Sequence, residues 1–170
     1  GVTYSACLDA AKASGDRKYS AYVEQNFKAI ADAVKIPCIV YNVPSRTGVN
    51  ISLDTYKELA EVENIVATKE ASGNISAVAK IIAECGDKLD VYSGNDDQIV
   101  PIMSLGGKGV ISVLSNVLPK ETHMITEYCL KNDFVSASKL QIEYLDLINK
   151  LFIDVNPIPV KEALNILGMN

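Results

Sequence analysis

Apolar positions recur along the chain in two alternating rhythms. Val23, Phe27, Ile30, Ala31 and Val34 fall at helical spacing, which predicts an amphipathic helix over Tyr22 to Val34. Ile36 to Val43 is a short β-rich run closed by Pro44. Ser52 to Glu61 reads as the next helix, with Ser52 as its N-cap and Thr55 where a capping box would carry an acid. The alternation continues with a strand over Asn64 to Lys69, a helix over Ile75 to Cys85 stopped by Gly86, and a strand over Leu89 to Ser93. A helix from Asp96 to Leu105 ends at Gly106-Gly107, and Gly109 to Val113 is a further strand. Pro119 to Leu130, Phe134 to Phe152 and Val160 to Leu167 are predicted helices, the middle one carrying Leu140, Tyr144, Leu147, Ile148 and Leu151 on one stripe. Tyr4 to Ala13 reads as a helix and Ser14 to Arg17 as a turn.

This is a series of four β–α units whose strands read as apolar on both faces, the pattern of a parallel sheet covered by helices. No strand is followed by a Rossmann or P-loop glycine fingerprint. The fold class expected is therefore α/β, a partial (β/α)8 barrel in one domain over residues 1–170, since eight such units need around 250 residues.

Composition narrows the function. The 170 residues are 48% hydrophobic and 22% charged, ordinary for a globular domain, and the net charge of -5 argues against a nucleic-acid partner. No apolar run approaches the roughly 20 residues that span a bilayer, no signal peptide is visible, and a cytoplasmic location is expected. Cys7, Cys38, Cys85 and Cys129 have no metal-ligand spacing and are read as reduced thiols, with Cys38 in an apolar strand. His123 stands in a helical segment without a ligand cluster and is read as structural.

The chemistry concentrates at two strand ends. Lys69 closes Ile65-Val66-Ala67-Thr68-Lys69. A lysine there either snorkels to solvent or sits poorly solvated at an apolar rim, where its amine becomes available for Schiff-base formation. Tyr41 lies near the end of the preceding strand, on one face with Ile39. It is either core packing or a phenol beside the amine, a proton shuttle for carbinolamine formation. In a barrel, reactive groups come from such C-terminal strand ends.

Five segments then resemble, in order, the signature of the dihydrodipicolinate synthase family. They are Tyr41-Asn42-Val43-Pro44-Ser45-Arg46-Thr47-Gly48, Lys69-Glu70-Ala71-Ser72-Gly73-Asn74, Ser93-Gly94-Asn95-Asp96, Gly106-Gly107-Lys108-Gly109-Val110-Ile111-Ser112 and Asn156-Pro157-Ile158-Pro159-Val160-Lys161. The likeness runs from about Phe27 to the end and covers little more than half of a family member. It implies a (β/α)8 barrel with a helical extension, usually tetrameric, that condenses pyruvate with aspartate semialdehyde in lysine and diaminopimelate biosynthesis. It implies Lys69 as the Schiff-base lysine, Tyr41 as proton relay, Arg46 as the guanidinium for the aldehyde's carboxylate, and Gly94, Asn95 and Ile111 as pocket positions. It implies no metal or organic cofactor, because the protonated imine is the electron sink. Arg46 read alone is a solvated loop charge; its fork suits a carboxylate. The Gly106-Gly107-Lys108-Gly109 run reads as a tight turn needing positive φ, and Asn156-Pro157-Ile158-Pro159 as a rigid extended linker.

The sequence also departs from the family. A Thr-Thr pair and a Pro-Tyr-Tyr tyrosine of the family's first half find no counterpart; Gly15 or Asp16 stands at the tyrosine's position, and Tyr19 and Tyr22 are out of register. Two alternatives follow: a pyruvate aldolase similar to N-acetylneuraminate lyase, which Arg46 disfavours, and a truncated, inactive half-barrel. Unpaired strand edges predict a homo-oligomer, two copies closing eight strands about a two-fold axis, unless residues 1–20 cover one edge.

Overall fold

The computed structural model describes residues 17–169, and the helix expected over Tyr4 to Ala13 lies outside them. The described residues fall into two compact units, divided between Val91 and Tyr92.

In the first unit, α1 (Arg17–Asp32) leads to β1 (Cys38–Asn42), the short α2 (Pro44–Thr47) and α3 (Leu53–Leu59). Next come β2 (Ile65–Glu70), α4 (Ile75–Cys85) and the start of β3 (Asp90–Ser93). α2 begins with proline at its first turn and ends at Gly48, whose φ of 73° a side chain would resist. Ser52 caps α3 as its sequence predicts, accepting from the Thr55 N–H at 3.1 Å, with the Thr55 hydroxyl 2.9 Å from the same oxygen. α4 does not end on a left-handed glycine: Gly86 keeps φ −63°, and the chain winds on through Leu89 N–H to Cys85 C=O.

β1 and β2 pair in parallel, with Tyr41 opposite Lys69 and Asn42 opposite Glu70. The sequence predicts strands buried on both faces, and β1 departs from this. Val40 and Asn42 are buried, whereas Ile39 and Tyr41 remain 51% and 43% exposed. Successive strand residues point to opposite faces, and among the described residues only the Val40–Asn42 face is covered. That covered face is polar toward the strand ends, since Asn42, Thr68 and Glu70 are all buried.

In the second unit, the end of β3 pairs in parallel with β4 (Gly109–Val110), Tyr92 opposite Gly109. The helices are α5 (Ile99–Ser104), α6 (Pro119–Leu130), α7 (Phe134–Glu143), α8 (Leu145–Lys150) and α9 (Ile158–Ile166). Several expectations are corrected here. The long helix over Phe134 to Phe152 is two helices meeting at Tyr144. Its halves serve different cores: Ala137 packs with Ile99, Val100, Met103, Ile125 and Cys129, whereas Ile148 and Leu151 pack with Leu114 and Val160.

The helix predicted over Asp96 to Leu105 opens as a 3-10 turn, Asp96–Gln98, before α5. Pro101 has no N–H to reach the Asp97 carbonyl one turn back. The Gln141 side chain supplies the missing donor at 2.8 Å, and its oxygen accepts from the Val100 N–H at 2.9 Å. The expected strand over Gly109 to Val113 stops at Val110, because the next residues fold into a second 3-10 turn, Leu114–Asn116.

The stretch Asn156 to Pro159 is not an extended linker. Asn156-Pro157 is cis and α9 begins at Ile158, with Pro159 in its first turn, where a missing N–H costs no helical bond. Gly106 does take positive φ, 109°, but Gly107 does not. A Cβ on Gly107 would meet the Ile102 side chain at 2.6 Å, so it is close approach that requires glycine there.

Candidate active site

Two neighbouring strands carry the central pair. Because Tyr41 and Lys69 are register partners, both side chains project from the same face. The Lys69 Nζ lies 4.4 Å from the centroid of the Tyr41 ring. Lys69 is half-buried rather than extended into open water, and Tyr41 is exposed rather than core packing. An ammonium over a ring face is attracted by the ring quadrupole, by about 0.5–1 kcal/mol at a partly exposed site. An iminium on the same nitrogen is also a cation and would meet the same face.

Immediately behind this pair lies a buried network that sequence reasoning missed. Asn42 and Glu70, the next residues on each strand, point the opposite way and are 3% and 1% exposed. The Glu70 carboxylate accepts from the Tyr56 hydroxyl at 2.9 Å, the Ser72 N–H at 2.7 Å and the Asn42 amide at 3.0 and 3.1 Å. The Asn42 amide also donates to Asn50 at 2.8 Å, and its oxygen accepts from the Ile51 N–H at 3.2 Å. The Tyr56 hydroxyl is 3.2 Å from that of Thr68. Burial, reinforced by the charge of Glu70, pushes the Tyr56 phenol far above its ordinary value, so it stays a proton donor. The one available sequence signal was polar residues at covered strand positions: Asn42, Thr68 and Glu70 alternate with Tyr41 and Lys69.

Arg46 stands in the last turn of α2, exposed, its backbone N–H bonded to the Val43 carbonyl at 2.9 Å. The helix starts two residues beyond Asn42, so the guanidinium is carried on the segment that follows the end of β1.

The remaining predicted positions lie in the second unit and cluster there. Gly94 and Asn95 follow β3, both half-buried, and the Ser93 hydroxyl donates to the Asn95 carbonyl at 2.6 Å. Ile111 sits just beyond β4, and its N–H donates to the Ser93 carbonyl at 2.9 Å. Asp96, not singled out from the sequence, ties the two loops. It is 1% exposed, and its Oδ2 accepts from the N–H groups of Val113 and Leu114, both at 3.0 Å.

Among the described residues, no group of three or more His, Cys, Asp or Glu side chains is placed to hold a metal ion. His123 is exposed, 4.0 Å from Glu127 on the same helix. A surface cleft of about 530 Å³ lies at the other ends of the strands, lined by residues such as Val34, Pro37 and Val66, away from Tyr41 and Lys69. No described helix is long and apolar enough to cross a membrane.

A model of the dihydrodipicolinate synthetase family matches residues 17–170, beginning earlier than the Phe27 start read from the motifs. The 4-hydroxy-tetrahydrodipicolinate synthase of Caldicellulosiruptor bescii is 60% identical over 146 residues, 86% of this chain and 49% of that protein. The crystal structure of dihydrodipicolinate synthase from Aquifex aeolicus matches with a TM-score of 0.86 at 45% identity, over 88% of this chain and 52% of that one. The chloride-inhibited dihydrodipicolinate synthase from Acinetobacter baumannii, solved in complex with pyruvate, matches with a TM-score of 0.86 at 41% identity, again over 88% and 52%. The chain thus spans about half the length of the relatives it matches. Its fold is a partial (β/α)8 barrel, as its pattern of strands and helices predicts.

Proposed function

The chain belongs to the dihydrodipicolinate synthetase family, and from that premise we propose that it carries the family's Schiff-base lyase chemistry, with Lys69 as the nucleophile and Tyr41 as the proton carrier. The observation that carries this reading is the Lys69 amine held 4.4 Å over the Tyr41 ring at two paired strand ends.

The neutral Lys69 amine attacks the keto carbon of pyruvate and a nitrogen–carbon bond forms. The carbonyl oxygen, protonated twice, leaves as water, and a cationic imine remains. Tyr41 hands protons to and from that oxygen. The imine draws electrons from the adjacent methyl group, which loses a proton to give an enamine, and the enamine carbon attacks the aldehyde of aspartate semialdehyde. The imine is itself the electron sink, so these steps call for no metal or organic cofactor. Arg46 pairs with the carboxylate of the second substrate through its planar fork. Gly94, Asn95 and Ile111 enter the proposal as the pocket positions that the family resemblance gives. The pathway served is lysine and diaminopimelate biosynthesis, in the cytoplasm, a setting that suits three free thiols at Cys38, Cys85 and Cys129. A homo-oligomer is part of the proposal: among the described residues β1 pairs only with β2, and its free edge is one a second copy would pair. A clean monomer at micromolar concentration, by size exclusion with light scattering, would remove that part.

Borohydride reduction in the presence of pyruvate tests the central step. The expected result is a 1-carboxyethyl group on Lys69, located by peptide mass spectrometry and lost in Lys69→Ala. No adduct on the folded chain would mean that this stretch of the family does not carry the imine chemistry by itself. Turnover of aspartate semialdehyde then separates a synthase from a pyruvate aldolase with a sugar substrate.

A further inference from the structure

Glu70 is a buried ionisable group that the proposed mechanism does not use. Taking a carboxylate out of water costs several kcal/mol unless hydrogen bonds replace the lost hydration, and a buried charge is weak evidence for stability alone. Here the replacement is complete: three donor groups, the Asn42 amide, the Tyr56 hydroxyl and the Ser72 N–H, converge on the two oxygens. The identity of those donors is informative. Asn42 is the last residue of β1, Glu70 the last of β2, Tyr56 belongs to α3, and Ser72 to the loop after β2. The Asn42 carbonyl also accepts from the Ala71 N–H at 2.9 Å, and the Asn42 side chain holds Asn50 and Ile51. One carboxylate therefore joins both strand ends, the loops beyond them and the covering helix, directly behind Tyr41 and Lys69.

We infer that Glu70 is a positioning residue: with Asn42 and Tyr56 it locks the ends of β1 and β2 in register so that the Lys69 amine stays over the Tyr41 ring. Its meaning for catalysis rests on the Schiff-base reading above, but the positioning itself does not. An apolar residue at the same place would fill the volume but take away the acceptor these three donors share, leaving the Asn42 amide to Asn50 and the Tyr56 hydroxyl to Thr68. Glutamine would fill it too, but with one accepting oxygen in place of two and an NH2 group facing the Asn42 amide.

The test reads the pair without substrate. In the chain labelled with 13C at the lysine ε carbon, the Lys69 resonance is assigned by its loss in Lys69→Arg. Its displacement by the Tyr41 ring current is calibrated with Tyr41→Leu. In Glu70→Gln and Tyr56→Phe, with cooperative melting retained, the resonance should move at least halfway to its Tyr41→Leu position. Trapping of saturating pyruvate by borohydride should slow about tenfold or more, as sub-ångström misplacement of a reacting group does. A merely structural network would lower the melting temperature and leave that resonance in place, and this result overturns the inference. Should Glu70→Gln fail to fold, Tyr56→Phe, which keeps the carboxylate and removes one hydroxyl, decides on the same reading. If the unsubstituted chain traps no pyruvate, the catalytic proposal falls, while the ring-current comparison still decides the positioning role.

Discussion

Tyr41 and Lys69 meet because they are partners across a parallel β pair, twenty-eight positions apart in sequence yet side by side in register. The contact is of amine to ring face, which sets two properties of the tyrosine against each other. Its ring attracts a cation whether or not a hydroxyl is present, whereas proton transfer needs the hydroxyl. Tyr41→Phe keeps the first and loses the second. If the phenol carries protons, Tyr41→Phe should slow imine formation about a hundredfold, the usual worth of a general acid–base group, and Tyr41→Leu little further. A near-normal rate for phenylalanine with a slow leucine variant would give the role to the ring instead. Stopped borohydride trapping measures both.

Tyr56 should shape stability at high pH. Its phenol titrates near pH 10 in the unfolded chain and well above that when folded. Above pH 10 the unfolded chain therefore releases a proton that the folded chain retains, and stability falls as pH rises, by up to about 1.4 kcal/mol per pH unit from this group. Below pH 10 both states hold the proton and the slope from Tyr56 vanishes. Denaturant unfolding between pH 9 and pH 11 should show a shallower decline for Tyr56→Phe than for the unsubstituted chain; equal slopes would contradict the assignment.

Gln141 stands in for a backbone donor that Pro101 cannot provide. Gln141→Leu fills the same volume but leaves the Asp97 carbonyl and the Val100 N–H without their partner. The expected loss is about 1–3 kcal/mol, chiefly from the buried Val100 N–H, since water can reach the part-buried Asp97 carbonyl. Thermal or urea unfolding gives the value, and a loss below about half a kcal/mol would mean that other groups take over.

The thiols should divide by accessibility. Burial pushes the Cys85 and Cys129 thiols up from their ordinary values, and both side chains lie in packed cores. Cys38 is only half-buried, contrary to the burial its apolar strand suggested, with its sulfur 3.6 Å from the Ile36 carbonyl. An aromatic disulfide reagent at neutral pH should modify Cys38 about tenfold or more faster than Cys85 or Cys129, which should react chiefly on unfolding. Peptide mapping separates the three.

The periodic elements were readable because their signals are local. Pro119 and the helical spacing after it placed α6 at Pro119–Leu130, and Ile75–Cys85 was bounded correctly by the Gly86 that follows it. What escaped depends on distant partners. The 3-10 opening before α5 depends on a glutamine in α7, and the short β4 ends where the chain turns toward Asp96. The break at Tyr144 arises because two stretches of one apolar stripe find different cores. The candidate site divided the same way. Lys69 and Tyr41 were legible from strand-end position and alternation, and their motifs named a family. Glu70, lying beside Lys69 in the same motif, was passed over because its alternation with Lys69 is the one linear sign of burial, and alternation alone does not say which face is covered.

Lys69 is a residue of a hydrogen-bonded strand, not of a loop, and the ladder flanks its backbone. The amine therefore reaches an incoming carbonyl by rotation about its own carbon–carbon bonds while its backbone stays fixed. Such a tether is slack before the bond forms and taut afterwards, so what the protein itself gives up at that step is side-chain rotamer freedom, on the order of 2 kcal/mol for a lysine.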